Sequence, residues 1–415
     1  MISERSHCRT CGANDLTLIL DLGKTALAND FLSPEAAKTY SVMLPLRVGL
    51  CRKCSLVQLV DTVDPKILYS HYAYVTSTSR TMDVHLTEQA AHLLAATGSK
   101  AGAKVLEIAS NTGIFLEKFK ALGCEVLGVE PAGNIAQVAI DAGVPTRTEF
   151  FNAATARHLE TEWRKADLIL GRHVFAHIDD LQDLLVALEA VSHPETVIAF
   201  EVPYLVDFLE ETEYDTIYHE HLSYISVGAL EALTSRSPFF VQRIDHYPIH
   251  GGSILFHLRH RSSKIAPHPS VGQALAREKR LRLAELPTWA AFAKRVERIR
   301  TELPALLRQH KAQGKRIIGY GASAKGNTLL NTCGLGKGEL DYIIDNTPFK
   351  QNKLAPGSWL PIRPPEALLK DQPDLTLILA WNFAPEIVRR EAEYQKRGGR
   401  FILPIPEPRM VDFSG

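Results

Sequence analysis

The stretch Val105-Leu106-Glu107-Ile108-Ala109-Ser110-Asn111-Thr112-Gly113 decides how this chain is read. A short, mostly apolar run forms a strand, and the small residues after it form a turn that lets a ligand approach the backbone closely. A helix over 114–122 follows, then a second strand, Glu125 to Val129, that ends in Glu130-Pro131. Strand, small-residue turn, helix, strand and acid make a βαβ unit, and an acid in that position binds ribose hydroxyls. Upstream, residues 85–97 read as a helix with Leu86, Ala90, Leu93 and Leu94 on one face. Downstream, Asp167 to Leu170 and Ala199 to Pro203 continue the sheet.

The glycine pattern discriminates between nucleotides. A dinucleotide fingerprint requires G-x-G-x-x-G, whereas positions 109, 111 and 114 here are Ala, Asn and Ile. A pyrophosphate would be poorly seated on such a turn. S-adenosylmethionine (SAM) carries no phosphate and needs only the close turn and the ribose acid, so SAM fits better than NAD.

The same order recurs later in the chain. Arg316 to Tyr320 reads as a strand, Gly321-Ala322-Ser323-Ala324-Lys325-Gly326-Asn327-Thr328 as a turn, and Leu340 to Ile344 as a second strand ending in Asp345. The turn fails the G-x-x-x-x-G-K test because Asn327 stands where lysine is required. Its small residues, helix-start N–H groups and one lysine are nonetheless the parts that hold a diphosphate. Leu375 to Ala380, followed by Trp381-Asn382, adds a strand with polar groups at its carboxyl end. Between the two units, Trp289, Phe292, Val296, Ile299, Leu303 and Leu306 recur at helical spacing, which predicts a long amphipathic helix bent or restarted near Pro304. Residues 261–270 read as a linker.

Six cysteines in 415 residues are too few for a disulfide scaffold. Four form two pairs, Cys8-x-x-Cys11 and Cys51-x-x-Cys54, separated by 39 residues. Each pair sets two thiolates on one tight turn, and the two turns together complete a tetrahedral zinc site. Four protein ligands leave no open position, so this zinc is structural. Arg9, Arg52 and Lys53 accompany the pairs and would offset thiolate charge. Cys124 and Cys333 sit alone in apolar surroundings and read as buried small side chains.

The 47 basic and 47 acidic residues balance, which argues against a nucleic-acid partner. The apolar runs are far shorter than the ~20 residues that span a bilayer. The polar start at Met1 to Asp15 carries no signal core, so a soluble cytoplasmic protein is the expectation.

The densest chemistry is Tyr214-Asp215-Thr216-Ile217-Tyr218-His219-Glu220-His221-Leu222-Ser223-Tyr224. Histidine, with an ordinary pKa of about 6.5, moves protons at neutral pH; a neighbouring glutamate orients it, and tyrosine can bond a developing oxyanion. An H-E-x-x-H metal motif is not satisfied, because Ser223 stands where the second histidine should be. A polar loop on a sheet edge is the competing reading. His250-Gly251-Gly252-Ser253 opens a further strand, and its paired glycines suggest a close approach to the backbone or a simple bulge.

Taken together, the paired C-x-x-C, His71-Tyr72-Ala73-Tyr74, V-L-E-I-A-S-N-T-G, Y-H-E-H, H-G-G-S, G-Y-G-A-S-A-K-G-N-T and A-W-N resemble the SAM-dependent sugar-nucleotide C-methyltransferases, especially the 3-C-methyltransferases of nucleotide-linked 4-keto-deoxy sugars. The resemblance covers essentially the whole chain. It implies an α/β protein with an N-terminal zinc-binding module (1–70), a central SAM-dependent Rossmann-like methyltransferase domain (71–265), and a helical connector with a second Rossmann-like domain (266–415). By resemblance, His221 is the base that takes the proton beside the ketone, Tyr218 and Glu220 flank it, and Tyr72 reaches the sugar. Glu107, Ala109, Asn111, Gly113, Glu130 and His173 would meet SAM. His250, Gly251, Tyr320, Ser323 and Lys325 would meet the sugar nucleotide, with Asn327, Asp345, Trp381 and Asn382. Thr112 stands where the family commonly has an acid, and Ala109 where it has glycine.

The implied reaction is methyl transfer to the carbon beside the ketone, C-3, through an enolate, in deoxysugar biosynthesis. The substrate would be a TDP-, GDP- or CDP-linked sugar, with no nucleic acid and no membrane involved; three domains already bury a large surface, which favours a monomer, and nothing in the chain excludes a dimer. A sugar O- or N-methyltransferase on the same scaffold is the nearest rival. An NAD-dependent sugar oxidoreductase or epimerase lacks its glycine fingerprint, and a non-catalytic zinc-bearing assembly protein leaves the Tyr/His/Glu cluster unexplained.

Overall fold

The three-dimensional structure, a computed structural model, describes residues 2–39, 42–69, 80–98, 102–249 and 251–411. The His71-Tyr72-Ala73-Tyr74 segment and His250 lie outside the described residues.

Both apolar βαβ units fold as parallel sheets, whose strands are covered on both faces and so read as near-continuous apolar runs. In the central sheet seven strands lie in the order Phe239–Tyr247, Ser253–His260, Ser192–Pro203, Ala166–Arg172, Lys104–Ile108, Glu125–Val129 and Thr146–Arg147. Only Ser253–His260 runs antiparallel to its neighbours. The helix Ile114–Ala121 buries Phe115, Leu116 and Phe119 against this sheet's core, and Arg80–Ala96 covers the same side with Leu86, Ala90 and Leu93.

The C-terminal sheet has six strands in the order Ile362–Arg363, Ile343–Ile344, Ile317–Tyr320, Leu375–Ile378, Arg400–Leu403 and Arg409–Val411. The last strand alone is antiparallel. In both sheets the strand order reverses beside the first strand of the βαβ unit, and ligands bind at such a switch point, outside the carboxyl ends of the strands.

The N-terminal module is a small antiparallel sheet of Leu16–Thr25, Leu44–Cys51 and Val57–Leu59. Its fourth strand, Ser223–Tyr224, comes from the middle of the chain, immediately after Y-H-E-H. The loop carrying that cluster does therefore run onto a sheet edge, and the edge belongs to another module.

The connector forms one continuous helix, Leu286–Ala312, that runs through Pro304 without a break. Proline removes one backbone donor, yet Leu303 and Leu307 on either side of it are fully buried and hold the helix axis. The apolar stripe ends on Leu307, with Leu306 only partly buried. Residues 261–270 are more ordered than a linker: a 3-10 turn at Arg261–Ser263 is followed by the helix Pro269–Arg280, with His268 as its cap. Leu46, Leu181, Trp289 and Leu329 belong to one apolar core that extends through the N-terminal module, central sheet, connector and C-terminal sheet. Cys124 and Cys333 are buried, as their surroundings predict.

Candidate active site

The carboxyl ends of the two parallel sheets face a common cleft of 1190 Å³. That exceeds the ~300–1,000 Å³ of ordinary small-molecule pockets and leaves room for two ligands side by side. Ala109, Asn111, Glu130 and His173 line one wall; Ser323, Lys325, Lys350 and Arg390 line the other. Tyr218 and His221 lie between them.

The cofactor turn is shaped by left-handed backbone at Ala109 (φ 54°), Asn111 (φ 50°) and Gly113 (φ 78°). Gly113 does not line the cleft; a Cβ there would press on Ala139 and Val144 at 3.1 Å, so it sets the packing of the turn. Glu130 accepts from the Asn111 and Ala132 N–H groups, both at 2.9 Å. The second unit repeats this arrangement: Asp345 accepts from Ala322 N–H at 2.7 Å and from Thr347 N–H at 2.8 Å. In each unit the acid ties its own strand end to the preceding turn. Glu130 still reaches the cleft, whereas Asp345 lies behind its turn, with Lys350 3.7 Å away.

Glu107 is buried against the cleft, which raises its carboxyl well above the usual range, and its Oε2 has no hydrogen-bond partner. A buried polar atom left open in a cleft calls for a ligand donor. With Glu130, it provides the acceptors that the ribose and ammonium groups of SAM require, so the residues present fit that cofactor. His173 and Arg172 are held by Glu201, which is fully buried and also takes bonds from His85 at 2.8 Å and Gln89 at 2.6 Å. Burial opposes ionisation of Glu201, but Arg172, His173 and His85 outweigh it and hold its carboxyl well below the usual range.

His221 has its Nδ1 2.9 Å from the Thr216 carbonyl, which can only accept, so Nδ1 carries the proton. Nε2 is left with its lone pair and receives the Tyr218 hydroxyl at 2.6 Å. Burial, reinforced by His177 nearby, keeps the ring well below its ordinary pKa and therefore neutral. The His177 ring lies 5.0 Å away, is pushed down to about 3 by burial, and its Nδ1 shares a 2.9 Å hydrogen bond with the hydroxyl of Tyr69, whose phenol burial keeps protonated. His177 is thus neutral and carries a single ring proton.

Glu220, expected beside the base, does not line the cleft; Asn29 of the N-terminal module bonds it at 2.8 Å, and Asn29 itself reaches the cleft. His219 bonds the Pro45 carbonyl at 3.0 Å and ties the loop to the same module.

On the second wall, Ser323 caps the helix Ala324–Thr332, and Lys325 bonds Glu213 at 3.1 Å over the Trp381 ring. Trp381 donates to Asp215 at 2.7 Å; burial raises that acid to about 6. Trp381 lies outside the cleft lining, whereas Asn382 is within it. Tyr320 also stands behind the cleft, where it donates to Glu391 at 2.6 Å and bonds Arg390. Asn327 is buried and donates to the Ala28 carbonyl at 2.7 Å. Gly251 approaches a protein group: a Cβ there would lie 2.1 Å from Glu213. Sequence reasoning missed Arg172, His177, Lys350 and Arg390, which lie in no compact motif; Arg172 ends a strand, His177 and Lys350 end short 3-10 turns and Arg390 ends a helix, so no shared sequence signal marks them.

The four paired cysteines converge, with Cys8 and Cys54 sulfurs 3.4 Å apart and Cys11 and Cys51 sulfurs 3.6 Å apart. Donation from Cys54 pulls the Cys8 thiol down to about 5, while burial pushes Cys51 up to about 11. Four thiolates at such separations need a divalent cation, so the set fits zinc. Arg9 and Arg52 do not serve these sulfurs. Arg9 binds the Leu59 carbonyl and Thr62 within the module and Asp179 beyond it, and Arg52 binds the Ala284 carbonyl of the connector region, so their guanidinium groups are spent on oxygen acceptors.

A mostly parallel sheet with a single antiparallel strand, a phosphate-free cofactor turn and a strand-end acid define a methyltransferase-type domain. Family models match accordingly: "Methyltransferase domain" over residues 82–241, "C-methyltransferase C-terminal domain" over 248–406 and "Putative zinc binding domain" over 8–69. The chain is 40% identical to C-methyltransferase NovU of Streptomyces niveus, over 98% of its own length and 96% of that protein's. It belongs to this C-methyltransferase family, with SAM as methyl donor. Among solved structures, plantazolicin methyltransferase BpumL is 14% identical and covers 45% of this chain and 87% of its own, with a TM-score of 0.35. Magnesium protoporphyrin IX methyltransferase of Synechocystis PCC 6803 is 12% identical over 46% of this chain and 87% of its own, with a TM-score of 0.32. Among the described residues no helix is long and apolar enough to cross a membrane.

Proposed function

We propose that this enzyme methylates C-3, beside the ketone, of a nucleotide-linked 4-keto-deoxy sugar. The observation that carries the reading is the neutral His221–Tyr218 pair, set in one cleft between a SAM-type turn and the cations Lys325, Lys350 and Arg390.

A ketone acidifies the neighbouring C–H, so the protein needs a base, an oxyanion donor and charge for the diphosphate. Tyr218 takes the substrate proton on its phenol oxygen as its own proton passes to Nε2 of His221. The imidazolium so formed faces an enolate, and that opposite charge offsets the burial that disfavours it. The Thr216 carbonyl accepts from Nδ1 throughout and fixes the ring. With the Tyr69 hydroxyl donating to Nδ1, the neutral His177 carries its proton on Nε2 and donates it to the developing oxyanion. Glu107 and Glu130 orient SAM, which when bound supplies an electrophilic methyl group. Ser323, Lys325, Lys350 and Arg390 bind the diphosphate at the helix start, where N–H groups and cations add together.

Incubation with SAM and a panel of nucleotide 4-keto-6-deoxy sugars, read by mass spectrometry and product fragmentation, tests this. A methyl on carbon is expected. A methyl on oxygen or nitrogen, or none with any member of the panel, rejects the substrate assignment.

A further inference from the structure

We propose that His92, Asp245 and His257 form a second zinc site, on the side of the central sheet covered by the helix Arg80–Ala96. His257 Nε2 lies 3.0 Å from Asp245 Oδ2, and His92 Nε2 lies 3.5 Å from the same oxygen. All three ligand atoms fall within 4.8 Å of one another. Ligands at roughly 2.0–2.1 Å from a tetrahedral zinc are about 3.3 Å apart, so these separations suit one ion with little movement.

The local chemistry agrees. His92 Nε2 is sealed from solvent and makes no hydrogen bond, so its lone pair is not committed. The His257 side chain is buried and its Nε2 faces Asp245. Coordination takes the Nε2 lone pair of His257, and the ring proton then resides on Nδ1. Arg243 bonds both oxygens of Asp245, at 2.7 and 2.9 Å. Its bond to Oδ1 can persist when Oδ2 binds metal, as outer hydrogen bonds to ligating carboxylates commonly do. Two imidazoles and one carboxylate suit zinc and leave its fourth position for one small ligand such as water.

The site would staple two strands to a helix. His85, Gln89 and His92 are spaced four and three residues apart and share one helix face. His85 and Gln89 hold Glu201, which in turn anchors Arg172 and His173 in the cleft. An ion on His92 therefore stiffens the element that supports the cofactor wall. This inference is independent of the substrate reading.

The test equilibrates the full-length protein with buffered free zinc in the low micromolar range and measures zinc per chain by elemental analysis after gel filtration. Two ions are expected in the wild type and one in His92→Gln, with Asp245→Asn as a second variant. The second equivalent should raise the wild-type Tm and leave that of His92→Gln unchanged. One ion in the wild type, or two retained in His92→Gln, overturns the proposal.

Discussion

With its Nδ1 proton committed to the Thr216 carbonyl, the neutral His221 ring has one lone pair to work with, and Tyr218 occupies it. That arrangement has a definite pH signature. Burial lowers the folded-state pKa of His221, so its base form persists as pH falls through 6.5, where an ordinary histidine is half protonated. The acid limb of kcat/KM for the free enzyme is therefore expected below 6.5, and a limb at or above that value contradicts the assignment. Stability moves the same way: the unfolded chain takes up the proton near pH 6.5 and the folded chain only well below it, so folding becomes less favourable as pH falls through 6.5. Glu130 makes a separate prediction. Its carboxylate both braces the turn and faces the cleft, so Glu130→Ala should weaken SAM binding about tenfold or more, measured by calorimetry, and unchanged affinity would move the cofactor elsewhere.

At the scale of elements, the backbone near the cleft tolerates little change. Gly251 has φ 101° and Gly252 φ 136°, both in the region that favours glycine, and Glu213 and Asp207 crowd the places where side chains would grow. Gly251→Ala should cost about 2 kcal/mol or more in urea unfolding and should disturb Lys325 through Glu213; a neutral substitution would contradict this packing. Much at this scale was legible. Apolar runs such as Val105 to Ile108 and Ile317 to Tyr320 mark the strands of the two βαβ units, and the recurrent spacing from Trp289 to Leu303 marks the connector helix between them. The two-residue strand Ser223–Tyr224 has no period to read, so its pairing with Gln58 and Val57 became visible only in three dimensions. The same holds for function: Y-H-E-H is compact and was found, whereas the destinations of its side chains were not. Glu220 and His219 turn to Asn29 and Pro45, because the loop must satisfy its polar groups against a neighbouring module.

At the scale of the whole molecule, the modules do not act as beads. One apolar core crosses them, Arg9 locks the first cysteine turn to Asp179, and Asn29 and Tyr69 carry the N-terminal module into the cleft. Loss of zinc from the four cysteines should therefore loosen the module and remove turnover together. Chelation is expected to lower Tm and activity in parallel, with recovery on adding zinc back; full activity in metal-free protein would separate the module from the site.

The central claim is that His221, through Tyr218, takes a proton from carbon. The most direct measurement follows deuterium uptake from heavy water at the carbon beside the ketone, in a nucleotide 4-keto-6-deoxy sugar, with S-adenosylhomocysteine in place of SAM. The account predicts uptake at that carbon with the wild type and its loss, by roughly 10²-fold or more, in His221→Asn at undiminished S-adenosylhomocysteine affinity. No uptake in a sugar shown to bind, or uptake undiminished in His221→Asn, would contradict it.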